Sequence, residues 1–185
     1  MALVYLVRHA ESLVNAGTPP ATWELTESGR AGAARLAELS EWKGLALVAS
    51  SNEPKAMQTA EPIATRWRRP LEVDDRLREV ERPWAETPGQ LEEALGDYLR
   101  GGAQPGWEPI SEAANRFAAA IGEITAMTTG DIAVVSHGTV LSVYLSRVLG
   151  LRVRAADWAR IAMPDVCVVD PSRRRVLRDW GHTRF

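Results

Sequence analysis

The chain is short of cysteine, histidine and lysine. Cys167 is its single cysteine, which excludes an internal disulfide framework and any zinc site built on thiolates. That usage is compatible with a reducing compartment, and a cytoplasmic protein is the expectation. The three histidines, His9, His137 and His182, show no i,i+4 spacing, so no metal site is expected. No apolar run approaches the roughly 18 residues needed to span a bilayer, so no membrane association is expected. Met1 to Val7 is apolar, but Arg8, His9 and Glu11 follow at once. The run is too short for a signal-peptide core of about 7–15 residues with its cleavage site. A net charge of −2 leaves no general basic excess for a nucleic-acid backbone. The basic clusters Arg66, Arg68, Arg69 and Arg173 to Arg175 are offset by acidic stretches such as Glu92-Glu93, and read as solvated faces. Lysine is the rarest cation: of 22 Lys and Arg residues, only Lys43 and Lys55 are lysine. A lysine at a functional position therefore stands out.

What is present describes a folded domain. Of 185 residues, 45% are apolar and 25% charged. A chain of this size buries about two-thirds of its unfolded surface, so one domain over 1–185 is expected. Leu3–Val7, Leu45–Ala49 and Ile132–Val135 are short apolar, β-rich runs that end in polar residues, the pattern of buried strands. Leu71–Val73 is a further short strand. Thr26 is placed to cap a helix running to about Trp42, and Pro54 fits the first turn of a second helix reaching Arg66, with Pro62 expected to bend it. Helices are also expected over 111–127 and from Thr139 to Leu149, the latter closed by Gly150. Val166–Val169 and Arg175–Trp180 read as a closing hairpin turned by Asp170-Pro171-Ser172. Residues 81–110 differ: prolines and glycines surround one amphipathic segment, Gln90–Arg100, which suggests a lid or specificity insertion. Trp84 and Trp107 flank it, as candidates either for the substrate entrance or for buried packing. The alternation of strand and helix implies an α/β fold, a three-layer α/β/α sandwich on a mostly parallel sheet.

Three polar clusters follow predicted strands: Arg8-His9-Ala10-Glu11-Ser12, Ser50-Ser51 through Lys55, and Ser136-His137-Gly138-Thr139. In an open α/β sheet the carboxyl ends of the strands are where ligands bind. Guanidinium and ammonium groups, hydroxyls and helix N-termini together suit a phosphoryl group. A neutral imidazole among cations is a competent nucleophile, and a second imidazole can stabilise charge on the phosphoryl oxygens. Taken singly, a strand-end histidine is an ordinary loop residue; two of them, after separate strands, narrow the choice.

Leu6-Val-Arg-His-Ala-Glu-Ser12 with Asn15 resembles the opening signature of the histidine phosphatase superfamily, which includes cofactor-dependent phosphoglycerate mutases. Leu25-Thr-Glu-Ser-Gly-Arg30, Ala56-Met-Gln-Thr-Ala60 and Val135-Ser-His-Gly138 resemble further family segments, in the family's order. The resemblance implies a phosphatase with no cofactor, acting on a small phosphorylated metabolite. His9 would be the nucleophile that forms a phosphohistidine. Arg8, His137 and Lys55 would bind the phosphoryl oxygens, and Ser12, Asn15 and Gly138 would help hold the substrate. Glu79 would donate the proton to the leaving oxygen, with Glu81 as the alternative. Family mutases have longer chains, which favours hydrolysis over isomerisation here. Lys55 departs from the pattern, because the family places arginine there. Lysine keeps the charge and loses the bidentate fork, which implies either a weaker phosphate grip or a binding or regulatory relative.

Overall fold

The computed structural model describes residues 2–83 and 87–182. Trp84 lies outside them. One six-stranded sheet runs in the order β3-β2-β4-β1-β5-β6, formed by β1 (Val4–Arg8), β2 (Leu45–Ser50), β3 (Leu71–Val73), β4 (Asp131–Ser136), β5 (Asp165–Asp170) and β6 (Arg175–Arg178). The β1–β4, β4–β2 and β2–β3 pairs are parallel, whereas β5 is antiparallel to both β1 and β6. The sheet is mixed and mostly parallel.

Period-two alternation assigns the two faces. Val4 and Leu6 of β1 join Ile132, Val134, Cys167 and Val169 in one buried cluster, while Val7 joins Val48, Ala133, Val135 and Val166 in another. The second cluster is covered by α1 (Glu27–Ala37) and α2 (Pro54–Trp67). The first is covered by α3 (Pro88–Arg100), α4 (Ile110–Ala126) and α5 (Gly138–Val143). This is the three-layer sandwich. Each buried Leu, Ile, Val or Phe contributes about 1.5–3 kcal/mol by leaving water. Both layers are therefore needed to offset the chain entropy.

Thr26 caps α1 as expected, its hydroxyl oxygen accepting from Gly29 N at 2.8 Å. The helix stops at Ala37, however, and Trp42 is buried from a separate 3-10 turn, Ser40–Gly44. Helix α2 continues through Pro62 to Trp67. The helix after β4 is α-helical only to Val143; Tyr144–Val148 widen into a π-helix before Gly150, which takes φ +71°. A short helix, α6 (Ala155–Ala159), carries Trp158 and was not apparent in the sequence. Within 81–110, α3 starts from a Thr87–Gln90 capping box and sinks Leu95, Tyr98 and Leu99 into the main core. Trp107 packs on Tyr98, ring centroids 4.9 Å apart. No described helix is long and apolar enough to cross a membrane.

Candidate active site

The sheet order places β4 between β2 and β1, so the segments leaving all three strands open at one edge. The β1–β4 register pairs Arg8 with Ser136, and the His9 amide continues the ladder by donating to the Ser136 carbonyl at 2.9 Å. His9 and His137 are thereby forced together, with ring centroids 5.1 Å apart and planes inclined at 59°. Both are buried, at 7% and 1% exposure.

Each imidazole is held by one nitrogen. His9 Nδ1 lies 2.7 Å from the Ala10 carbonyl oxygen. A carbonyl only accepts, so the ring proton is on Nδ1 and Nε2 carries the lone pair. His137 Nε2 is 2.9 Å from Ser51 Oγ, and its buried Nδ1 has no hydrogen-bond partner among the described residues. Burial, the neighbouring His137 and the Arg8 and Lys55 cations hold His9 well below the usual imidazole value, against the opposing pull of the Ala10 carbonyl. Burial pushes His137 down to about 3, with the Lys55 and Arg8 cations acting in the same sense and Glu79 opposing them. Both rings are neutral near pH 7, the state a nitrogen nucleophile requires.

Cations and donors gather around this pair. One Arg8 terminal nitrogen donates to the Ile161 carbonyl. Its buried Nε has no partner among the described residues and sits against Gly138, where an added Cβ would come within 3.2 Å of it and 2.8 Å of Trp158 Nε1. Burial lowers the Arg8 pKa, and the Glu79 and Asp165 carboxylates oppose that shift only in part. Lys55 is buried at the start of α2, with Nζ donating to Glu53 and to the Pro20 carbonyl at 2.7 Å. The lysine is part of the cluster, but it is already paired.

Glu79 reaches the site after the 3-10 turn Asp75–Leu77. Its Oε1 accepts from Val80 N at 2.9 Å and Val140 N at 2.8 Å, and its Oε2 accepts from Thr139 N at 3.1 Å. The carboxylate thus sits on the free amides at the start of α5. Glu81 instead lies exposed, its backbone paired with Glu108. Ser12 forms a backbone bridge to Leu25. Asn15 is exposed, and its side-chain oxygen is taken by Gly17 N at 3.0 Å. His182 is exposed. Among the described residues, no group of three or more His, Cys, Asp or Glu is arranged to hold a metal ion.

Two features escaped sequence reasoning. Glu53 bridges Lys55 and the Glu79 amide. Arg116, on α4, donates to the carbonyls of Arg76, Arg78 and Glu79 at 2.7, 2.8 and 3.0 Å. The same guanidinium forms a two-pronged pair with Glu108 at 2.6 and 2.7 Å. It clamps the segment that carries Glu79. Both features span tens of residues, and no local spacing announces them.

The sequence and the fold have counterparts among known proteins. The family model described as histidine phosphatase superfamily (branch 1) matches residues 4–182. The chain belongs to that superfamily. Among curated superfamily relatives, a protein named probable phosphoglycerate mutase GpmB from Proteus mirabilis is 34% identical over 183 residues, covering 92% of this chain and 85% of its own length. The fold is also that of a solved structure titled mycobacterial hydrolase 1, with a TM-score of 0.77, 22% identity and full coverage of both chains. A mycobacterial glucosyl-3-phosphoglycerate phosphatase solved with VO3 has a TM-score of 0.75 and 21% identity, covering 100% of this chain and 99% of its own.

Proposed function

We propose that the protein is a metal-independent phosphatase that hydrolyses monoesters of small phosphorylated metabolites through a phosphohistidine on His9. The observation that carries this reading is the commitment of His9 Nδ1 to the Ala10 carbonyl, which leaves Nε2 as a neutral lone pair beside Arg8, Lys55 and His137.

In the first step the Nε2 lone pair attacks phosphorus in line, a P–N bond forms and the P–O bond to the leaving group breaks. The leaving oxygen takes the proton of a protonated Glu79, and the alcohol departs. Glu79 Oε1 already accepts two amides while Oε2 accepts one. Oε2 therefore has the free lone pair and is assigned the transferable proton. In the second step the Glu79 carboxylate takes a proton from water, the resulting nucleophile attacks phosphorus, and the P–N bond breaks. Phosphate and neutral His9 are regenerated. Such proton delivery contributes about 10²–10⁴-fold. Arg8 and Lys55 would neutralise the phosphoryl oxygens, and a His137 Nδ1–H would donate to one of them, in both transition states. Gly138 lets the Arg8 guanidinium approach the start of α5. Ser12 and Asn15 would hold the rest of the substrate, after Asn15 gives up its contact with Gly17. Residues 81–110 would act as the specificity insertion. The phosphatase title of a fold neighbour supports hydrolysis.

Turnover of an aryl phosphate should vanish in His9→Ala while circular dichroism stays unchanged; retained turnover would reject the mechanism. The name of the Proteus relative favours a second reading, phosphoglycerate isomerisation. With 3-phosphoglycerate as substrate, hydrolysis releases inorganic phosphate, whereas isomerisation forms 2-phosphoglycerate without it.

A further inference from the structure

We propose that Glu53 is a positioning residue of this site: one carboxylate oxygen fixes Lys55 beside the phosphoryl pocket and the other fixes the backbone of Glu79. The inference rests on the phosphatase reading and extends it to a residue no family segment supplied.

Glu53 occupies the N-cap position of α2 but makes no side-chain cap there. Its side chain turns inward and is 6% exposed as a residue. Oε2 accepts from Lys55 Nζ, Oε1 accepts from Glu79 N at 2.8 Å, and Oε1 stands 3.4 Å from His137 Nε2. One carboxylate therefore touches three of the groups assigned to the chemistry.

Stability alone does not account for it. Both side chains of the Glu53–Lys55 pair are almost fully buried, at 7% and 6% exposure. Desolvation makes such pairs roughly neutral against apolar replacements of equal volume. A carboxylate beside a phosphate pocket also repels the ligand. Its presence is explained by what lysine lacks. Arginine presents a rigid planar fork, whereas lysine is a point charge on a flexible four-carbon stem. An ammonium has three donors. Glu53 and the Pro20 carbonyl take two of them, fix the stem, and leave one N–H for a phosphoryl oxygen. The glutamate two residues before Lys55 thus replaces the orientation that an arginine would supply for itself.

Two opposing effects decide the test. If Glu53 only repels anions, removing its charge tightens phosphate binding; if it positions Lys55, phosphate binding weakens. Inorganic phosphate is titrated by calorimetry into wild type and the near-isosteric Glu53→Gln, a measurement that needs no turnover. Gln can still accept from Glu79 N through its amide oxygen, but its NH2 group then opposes the ammonium. The expected result is about 10-fold weaker phosphate binding, the scale of losing one well-oriented charge-assisted hydrogen bond. Unchanged or tighter binding overturns the proposal. For turnover, kcat in Glu53→Ala should fall about 10-fold further than in Glu53→Gln, because only Ala abandons the Glu79 amide; equal kcat values overturn that half. Should Glu53→Ala fail to fold, Glu53→Gln and Glu53→Leu supply the same comparison, since Leu also lacks the acceptor. A wild type that binds phosphate yet hydrolyses nothing would refute the phosphatase reading and leave the binding comparison decisive for Lys55.

Discussion

Arg116 offers the sharpest test of how the Glu79 segment is held. Replacing it by Met keeps most of the side-chain volume and removes every donor. Three backbone carbonyls, those of Arg76, Arg78 and Glu79, lose their partner. The Glu108 carboxylate, 7% exposed against 10% for Arg116, loses its nearest counter-ion and keeps Arg78 at 3.9 Å and the Glu81 amide at 3.3 Å. Burial pushes the Glu108 pKa up, and the Arg116 contacts, helped by the Glu81 amide and Arg78, outweigh it and hold that carboxyl below its usual value. Breaking this buried pair and leaving three carbonyls without their donor costs about 3–5 kcal/mol. At about 2–4 °C per kcal/mol for a domain of this size, the melting temperature should fall on the order of 10 °C. The double variant Arg116→Met/Glu108→Gln removes the stranded charge and should recover part of that loss. Denaturant unfolding measures both variants, and hydrolysis of an aryl phosphate reports the segment's position, with kcat expected to drop up to about 100-fold in each, the cost of misplacing a catalytic group by about 1 Å. A single variant destabilised by less than about 1 kcal/mol, or a double variant no more stable than the single, would refute the clamp.

Two further predictions concern the core of the site. His137 is held at about 3 in the folded chain, below its unfolded value of about 6.5. The unfolded state therefore binds the extra proton as pH falls through 6.5, and stability declines with falling pH by about 1.2 kcal/mol per unit near pH 5.5. His137→Asn should flatten the unfolding free energy against pH by that slope near pH 5.5 and by about half as much at pH 6.5, and an unaltered slope would show the ring protonates freely in the fold. Gly29 lies on α1, where an added Cβ would stand 2.0 Å from the Glu11 carbonyl oxygen. Gly29→Ala must displace the loop after β1 and should lower stability by several kcal/mol, on the scale of overpacking costs of about 1–3 or more. A variant as stable as wild type in urea would contradict the close approach.

How much of this was readable in the sequence follows from the range of each interaction. Strand positions and the Thr26 cap are local, and they emerged from composition and spacing. The convergence of His9 and His137 followed from a general property of α/β sheets, since both leave the carboxyl ends of strands. Glu81 and Glu79 stand two residues apart and look alike in sequence; the turn at Asp75–Leu77 and the amides of α5 separate them in space. Asn15 looked available, yet the turn it occupies uses its side-chain oxygen. Glu53 is one polar residue of the cluster that runs from Ser50 to Lys55, and nothing local sets it apart. Its partner amide is 26 residues away, beyond any helical or strand period. The π-helical stretch of residues 144–148 follows α5 with no breaker at Val143, and α6 is five residues long and starts after Arg154, so no local signal marks either.

The central claim is that His9 carries the phosphoryl group during turnover. Wild type mixed with substrate, quenched within milliseconds into alkali and digested at high pH, tests it by peptide mass spectrometry, because phosphohistidine is acid-labile and survives base. The account predicts a phosphoryl group on the peptide containing His9, accumulating further in Glu79→Gln when the substrate is an aryl phosphate whose acidic phenol leaves without a proton, because only the activation of water is then lost. Active wild-type enzyme in which that peptide stays unmodified, or is phosphorylated at another residue, would contradict it.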